Sequence, residues 1–294
     1  MKILLAAQGA AATRLCAATI NRLALTAGDE VIITSSVAPP VVLGAWGYGA
    51  GAVSPMLLDD ARKAARDVAR RAIQEASHEL RAAPCLVRQV VRVGHQVDVV
   101  PAVARDIGAQ TLVVAADDVI PSGALGRLLD SIDASVLVAR SPAVPLRRVM
   151  LAFDGSAESR AAARFLGEFP LPTGAHIDVL VCGDGHRSMD HLSRAFDLLG
   201  RERIDPELVA ADGVAAVTTS GRRATPVIRY GSPYREIVNA AEERSIQLVV
   251  TGARAVGALH RIFAGSVSRA VSQDAPCSVL VAGRDRGSAL RAAS

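Results

Sequence analysis

The sequence predicts an α/β protein of two tandem, doubly wound domains, each built on a five-stranded parallel sheet. Three observations carry that prediction. Short apolar runs alternate with amphipathic stretches along the chain, as strand–helix–strand units require. The chain also repeats itself: residues 2–10 lie over 148–156, Arg14 over Arg160, Gly28 over Gly174 and Val31 over Ile177. Farther on, Gly94 matches Gly231, and Leu-Val-Val at 112–114 matches the same triplet at 248–250. Finally, 294 residues, 50% of them hydrophobic, suit two packed cores and exclude a disordered chain.

Residues 1–7 are an apolar run that stops at Gln8-Gly9, and Arg14 soon interrupts the next apolar stretch, so they read as a buried strand and not a leader. Residues 37–56 are rich in glycine and proline and hold Trp46 and Tyr48. Gly47, Gly49 and Gly51 do not have dinucleotide-fingerprint spacing, so this stretch is expected to be a mobile loop, or else a lid or partner-binding loop. Residues 57–83 form an amphipathic helix whose many arginines and several acids make a solvated face. Ser141 to Pro145 carries two prolines and marks a linker, which divides the chain into domains 1–142 and 147–284 and a tail 285–294.

In the second domain 149–153 is a buried strand, and Asp154-Gly155-Ser156 turns the chain. A helix over 158–169 has Ser156 or Ser159 as its cap and Pro170 as its stop. Strands come next at 177–182, 225–229, 248–251 and 278–282, with helices around 189–213, at 234–245 and over 267–272. The apolar fifth strands, 136–138 and 279–281, would leave exposed edges and are expected to be assembly surfaces.

Composition removes several functions. Lys2 and Lys63 are the only lysines among 33 basic residues, and neither sits in Gly-Lys-Ser/Thr, so a P-loop NTPase is excluded. The net charge of +4 comes from arginines scattered among acids, and aromatics are 3%, which argues against a nucleic-acid surface. No run approaches the length of a membrane span. Cys16, Cys85, Cys182 and Cys277 are far apart, which disfavours zinc and disulfides and fits a cytoplasmic protein. His186 and His191 are a close pair without a third ligand, so no metal site is expected.

Chemistry concentrates between 251 and 268. Thr251-Gly252 ends a strand, a loop with Arg254, Ala255, Gly257 and His260 comes next, and Gly265-Ser266 opens a helix. A helix N-terminus presents unpaired N–H groups and suits phosphate, glycine lets a backbone approach closely, and Ser266 and Ser268 can add hydrogen bonds. Arg254 and His260 could reach a phosphate or stay solvated. Asp154 could equally be a simple turn-former, and Cys182 and Cys277 small apolar packing residues.

These residues resemble the universal stress protein family. Its signature is Gly, two residues, Gly, nine residues, then Gly-Ser or Gly-Thr, and Gly252, position 255 and Gly265-Ser266 fall at those spacings. The runs Ala152 to Ser156, Gly231 to Ile237 and Asp274 to Val281 also look familial, and the likeness spans essentially residues 1–284. The resemblance implies a Rossmann-like, adenine nucleotide alpha-hydrolase-like fold and a bound ATP, alone or with Mg. It places Asp154, with Ala152 and Phe153, on the adenosine portion and the Cys182 backbone on the adenine. Gly252, Gly265, Ser266 and Val267 then hold the phosphates, and Thr251, Arg254, Ala255, Gly257 and Ser268 complete the expected nucleotide-binding set. One position departs: Ala255 stands where the family has glycine, and its methyl group would crowd a phosphate or bar a left-handed backbone.

The first unit lacks these features. Gln8 stands for Asp154, Ala116 for Gly252, and Asp117-Asp118 would oppose phosphate, so this unit is expected to be structural. The expected function is a nucleotide-responsive regulator of stress adaptation that acts on an unknown protein partner, with no catalytic residues and no nucleic acid or membrane. The resemblance implies that the fifth strands pair across a pseudo-twofold axis, which in a tandem protein can occur within one chain, and a further homodimer through them is considered. The alternatives are a nucleotide-free scaffold and an ATP-using enzyme; the latter lacks a catalytic lysine or histidine cluster.

Overall fold

A computed structural model describes residues 1–7, 9–37, 55–116, 131–140, 142–183, 205–253 and 266–283. The first half runs β1 (Lys2–Ala7), α1 (Ala10–Ile20), β2 (Glu30–Val37), α2 (Pro55–Glu79), a short 3₁₀ turn, β3 (Leu86–Val93), α3 (Gln96–Ile107), β4 (Thr111–Ala115) and β5 (Ser135–Ala139). The second half runs β6 (Arg148–Ala152), α4 (Ala157–Glu168), β7 (His176–Gly183), α5 (Pro206–Thr218), β8 (Arg223–Tyr230), α6 (Pro233–Glu243), β9 (Leu248–Gly252), α7 (Ser266–Asp274) and β10 (Ser278–Ala282).

All ten strands form one sheet in the order β3-β2-β1-β4-β5-β10-β9-β6-β7-β8. Each half has the same internal order, and every pairing within a half is parallel. Parallel strands covered on both faces read as continuous apolar runs. Accordingly β4, β5 and β10 are buried at every position. Alternate residues feed two cores. Ile3, Leu5, Val149, Leu151 and Leu280 point into one, and Leu4, Leu112, Met150, Val249 and Val279 into the other.

The halves meet where β5 and β10 pair antiparallel. Both strands read Ser-Val-Leu-Val-Ala, so Leu137 lies opposite Leu280 and Val138 opposite Val279. The fifth strands are therefore an assembly surface, but the assembly is within one chain. The other edges of β5 and β10 are held by β4 and β9.

Some boundaries differ from expectation. Of the helix expected around 189–213, residues 189–204 lie outside the described residues, and α5 runs on to Thr218. Asp205 caps it by accepting from the Glu207 N–H at 2.9 Å, and Pro206 sits at its first position, a start signal the helical spacing obscured. The helix expected to reach 245 stops at Glu243, since Ser245 adopts a φ of 50° that no helix continues. The expected 57–83 helix begins at Pro55 and ends at Glu79, its last residues winding into the 3₁₀ turn Leu80–Ala82. Residues 38–54, with Trp46 and Tyr48, lie outside the described residues, as do His186 and His191.

Leu137→Ala is expected to lower stability by about 2–5 kcal/mol, since the side chain is fully buried opposite Leu280 in the ladder joining the halves. Urea unfolding would measure it, and a loss below about 1 kcal/mol would contradict the packing described.

Candidate functional site

The strand order β8-β7-β6-β9-β10 reverses direction of travel between β6 and β9. In open parallel sheets that switch point leaves a crevice at the carboxyl ends of the strands. Leu151 lies beside Val250, and the next residues are Ala152, which ends β6, and Thr251, one before the end of β9. On the other flank β6 pairs with β7, and Cys182 lies two residues past the partner of Ala152. Residues far apart in sequence thus share one rim.

Beyond β6 the Phe153 N–H donates to the Leu180 carbonyl at 2.9 Å and holds the chain against β7. Asp154 then makes a turn: its Oδ1 accepts from the Ser156 N–H at 3.0 Å, and Gly155 takes a φ of 76°. Ser156 caps α4 by accepting from the Ser159 N–H at 3.1 Å, which selects between the two serines proposed as caps. The turn is braced from behind. Arg160 donates to the Gly155 carbonyl and pairs with Asp212 of α5 at 2.8 Å. Arg160 was visible in the sequence only as a match to Arg14. That residue faces Glu75 instead, and α1 starts from Gly9 without a side-chain cap.

Gly252, at the end of β9, has a packing reason to be glycine. A Cβ there would lie 2.7 Å from the Glu158 carbonyl oxygen and 2.8 Å from its carbon. The first turn of α4 rests on that bare backbone. Next to it the Thr251 side chain is 3% exposed, and its Oγ1 has no hydrogen-bond partner among the described residues. A buried hydroxyl left without a partner is uncommon and costly. It sits at the rim.

The first turn of α7 is tied to the end of β9. Ser266 is exposed and Val267 half-buried, while Ser268 is buried and donates from Oγ to the Gly252 carbonyl at 2.8 Å. Ser268 therefore uses its proton to tie α7 to β9. Arg254, Ala255, Gly257, His260 and Gly265 lie outside the described residues.

Cys182 is half-buried; burial pushes its thiol up to about 11, and the Glu236 carboxylate adds to the rise. Cys277 is buried and likewise raised to about 11 by burial, as a small apolar residue beside a strand should be. Neither is an activated nucleophile.

A second polar cluster escaped the sequence reading. The buried Asp178 accepts from Arg244 Nε at 2.8 Å and from Thr225 Oγ1 at 3.0 Å, and His176 Nε2 lies 3.0 Å from Thr225 Oγ1 and 3.3 Å from Asp178 Oδ1. Hydroxyl, imidazole and carboxylate suggest a triad. A triad, however, needs opposite ring nitrogens for base and orienter, and here one nitrogen faces both. The cluster is structural and joins the end of α6 to β7 and β8.

The model of the Universal stress protein family matches residues 145–283. A Thermus aquaticus protein named "Universal stress protein in QAH/OAS sulfhydrylase 3'region" is 31% identical over 137 residues, 46% of this chain and 97% of that protein. The chain belongs to the universal stress protein family. Solved structures agree on the fold. A universal stress protein from Archaeoglobus fulgidus DSM 4304 superposes with a TM-score of 0.63 at 15% identity, covering 97% of both chains. A putative universal stress protein from Pseudomonas aeruginosa UCBPP-PA14 gives 0.56 at 15% identity, covering 97% of this chain and 93% of that one. The Rossmann-like α/β architecture thus extends over the whole universal stress protein chain, including the half that the family model leaves unmatched.

This geometry sets two expected outcomes. Gly252→Ala is expected to destabilise the protein by about 1–3 kcal/mol with no nucleotide present, because the methyl group meets backbone, as chemical denaturation would show. Cys182 is expected to react with iodoacetamide about a hundredfold more slowly than a free cysteine at pH 7.5, read by mass spectrometry; an equal rate would refute the raised pKa.

Proposed function

We propose that this universal stress protein binds ATP at the carboxyl ends of β6, β7 and β9, and that the bound nucleotide biases which conformation meets a protein partner. The supporting observation is convergence at the switch point. Asp154, Cys182, Thr251, Gly252 and the N-terminus of α7 come from separate parts of the sequence, and the topology gathers them on one rim. The residues present fit the ligand. The unpartnered Thr251 hydroxyl offers a donor, and the first N–H groups of α7 suit phosphate. Ala152, Phe153 and Asp154 would receive the adenosine portion and the Cys182 backbone the adenine. Gly252, Gly265, Ser266 and Val267 would hold the phosphates, with Arg254, Ala255 and Gly257 in the loop between. Ser268 would serve indirectly, by fixing α7 to β9.

The reading is binding rather than turnover, with ATP alone or with Mg. A ligand shifts a conformational equilibrium only through its different affinity for the two states, so the phosphate loop and α7 would have to differ between them. The first half then contributes structure and not a second nucleotide site. The chain is assigned to the cytoplasm on its four free cysteines; no helix among the described residues is long and apolar enough to cross a membrane.

Protein purified without added nucleotide, denatured and run on ion-pair chromatography is expected to release about one adenine nucleotide per chain. Stripped protein is expected to gain about 5 °C in Tm when ATP exceeds its Kd about a hundredfold. Asp154→Ala should remove most of that gain. Empty protein with no thermal shift at millimolar MgATP would defeat this reading and favour a nucleotide-free scaffold.

A further inference from the structure

The join between the halves is symmetric in its backbone and asymmetric in one side chain. After β5 the Arg140 N–H donates to Ser278 Oγ at 3.1 Å, and after β10 the Gly283 N–H donates to Ser135 Oγ at 3.0 Å. Arg140 and Gly283 are thus equivalent positions. Gly283 has no side chain to extend. Arg140 does, and its Nη2 donates to the carbonyls of Ser272 and Gln273, both at 2.6 Å.

Those carbonyls belong to the last turn of α7. The end of a helix leaves carbonyls without intrahelical partners and carries partial negative charge, which a cation offsets. Helix α7 has no basic residue of its own in that turn and ends on Asp274, whose carboxylate adds negative charge. Tyr234 donates to that carboxylate at 2.6 Å, which leaves the carbonyls to Arg140. The cation that α7 lacks is supplied from the other half of the chain.

We infer that Arg140 is a positioning residue for the nucleotide site: the first half caps the C-terminus of the helix whose N-terminus opens that site. The inference rests on the ATP reading above. Nine residues make α7 about 13 Å long, and so short a helix is marginal without anchors. It has one near each end, Ser268 on the Gly252 carbonyl and Arg140 on the last turn. Removing the distal anchor frays the helix and disperses the N–H groups at the phosphate end. A half without a nucleotide motif of its own would then still tune affinity in its neighbour, and movement at the β5–β10 join would alter binding.

The test uses the full chain as wild type, Arg140→Met, Arg140→Lys and Leu80→Ala. Methionine keeps the aliphatic stem and removes the cap, lysine keeps a cation, and Leu80 is a buried core residue of the first half that does not touch α7. Calorimetry gives ATP affinity, and hydrogen exchange reports amides 266–274. Arg140→Met is expected to weaken ATP about fivefold and to speed exchange in 266–274 by at least as much. Arg140→Lys should recover most of both. Leu80→Ala should lower Tm and leave ATP affinity alone. Unchanged affinity in Arg140→Met overturns the inference, even with faster exchange. If the wild type takes up no ATP, the functional reading fails by itself. Exchange then decides the tether: acceleration confined to 266–274 sustains it, and wild-type exchange overturns it.

Discussion

The antiparallel β5–β10 ladder is the contact on which the rest of the molecule depends. A doubly wound unit buries both faces of its sheet under helices, but it cannot bury its last edge. That edge here is Ser-Val-Leu-Val-Ala, apolar and extended, with one row of backbone groups unpaired. Two copies of such an edge satisfy one another when they run antiparallel, and the central leucine then meets its counterpart on the same face. Leu137 and Leu280 share one core, while Val136, Val138, Val279 and Val281 share the other. The two cores therefore run through the join. The helices of either half sit where they do because a single sheet of ten strands supports them.

Much of this was legible from residues. The apolar runs at 136–138 and 279–281, the internal match and the proline-bearing linker point to two parallel sheets, because burial on both faces leaves a plain signature. Helix limits were less legible. Asp205-Pro206 is a strong start signal, yet the apolar pattern upstream of it also looks helical. The stop after Glu243 depends on Ser245 adopting a left-handed conformation, which residue identity does not encode. The rim was readable as individual motifs, but its bracing was not. Arg160 grips Gly155 and Asp212 across two helices, and Asp178 collects Arg244, Thr225 and His176 from three elements. The pairings of Arg160 with Asp212 and of Asp178 with Arg244 and Thr225 are long-range; they arise from the topology and have no local spacing to betray them.

The two halves share an architecture and differ in detail at the crevice. In the second half Ser156 caps α4, Arg160 braces the turn, and a bare Gly252 accepts the first helical turn. In the first half Gly9 starts α1 without a side-chain cap, Arg14 turns to Glu75, and Ala116 occupies the position of Gly252. The apolar strands and their registers stay matched, since altering them would unpack both cores. Rim residues carry no comparable constraint, so a fold can persist in a half whose rim has changed.

Gly252 shows why a motif and its packing must be separated. As part of a nucleotide signature it would be assigned to phosphate approach. In the structure its missing side chain makes room for the Glu158 carbonyl, and a methyl group there would collide whether or not a ligand were present. The glycine alone is therefore weak evidence for a ligand. Thr251 beside it is a separate observation: its hydroxyl is buried, and no described group satisfies it. Ser268 lies between these cases, since its hydroxyl serves the fold by holding the Gly252 carbonyl and so sets where α7 begins. A hydroxyl without a partner among the described residues and a helix N-terminus thus meet at the strand switch point. At Gly252 the packing accounts for the glycine without requiring a nucleotide.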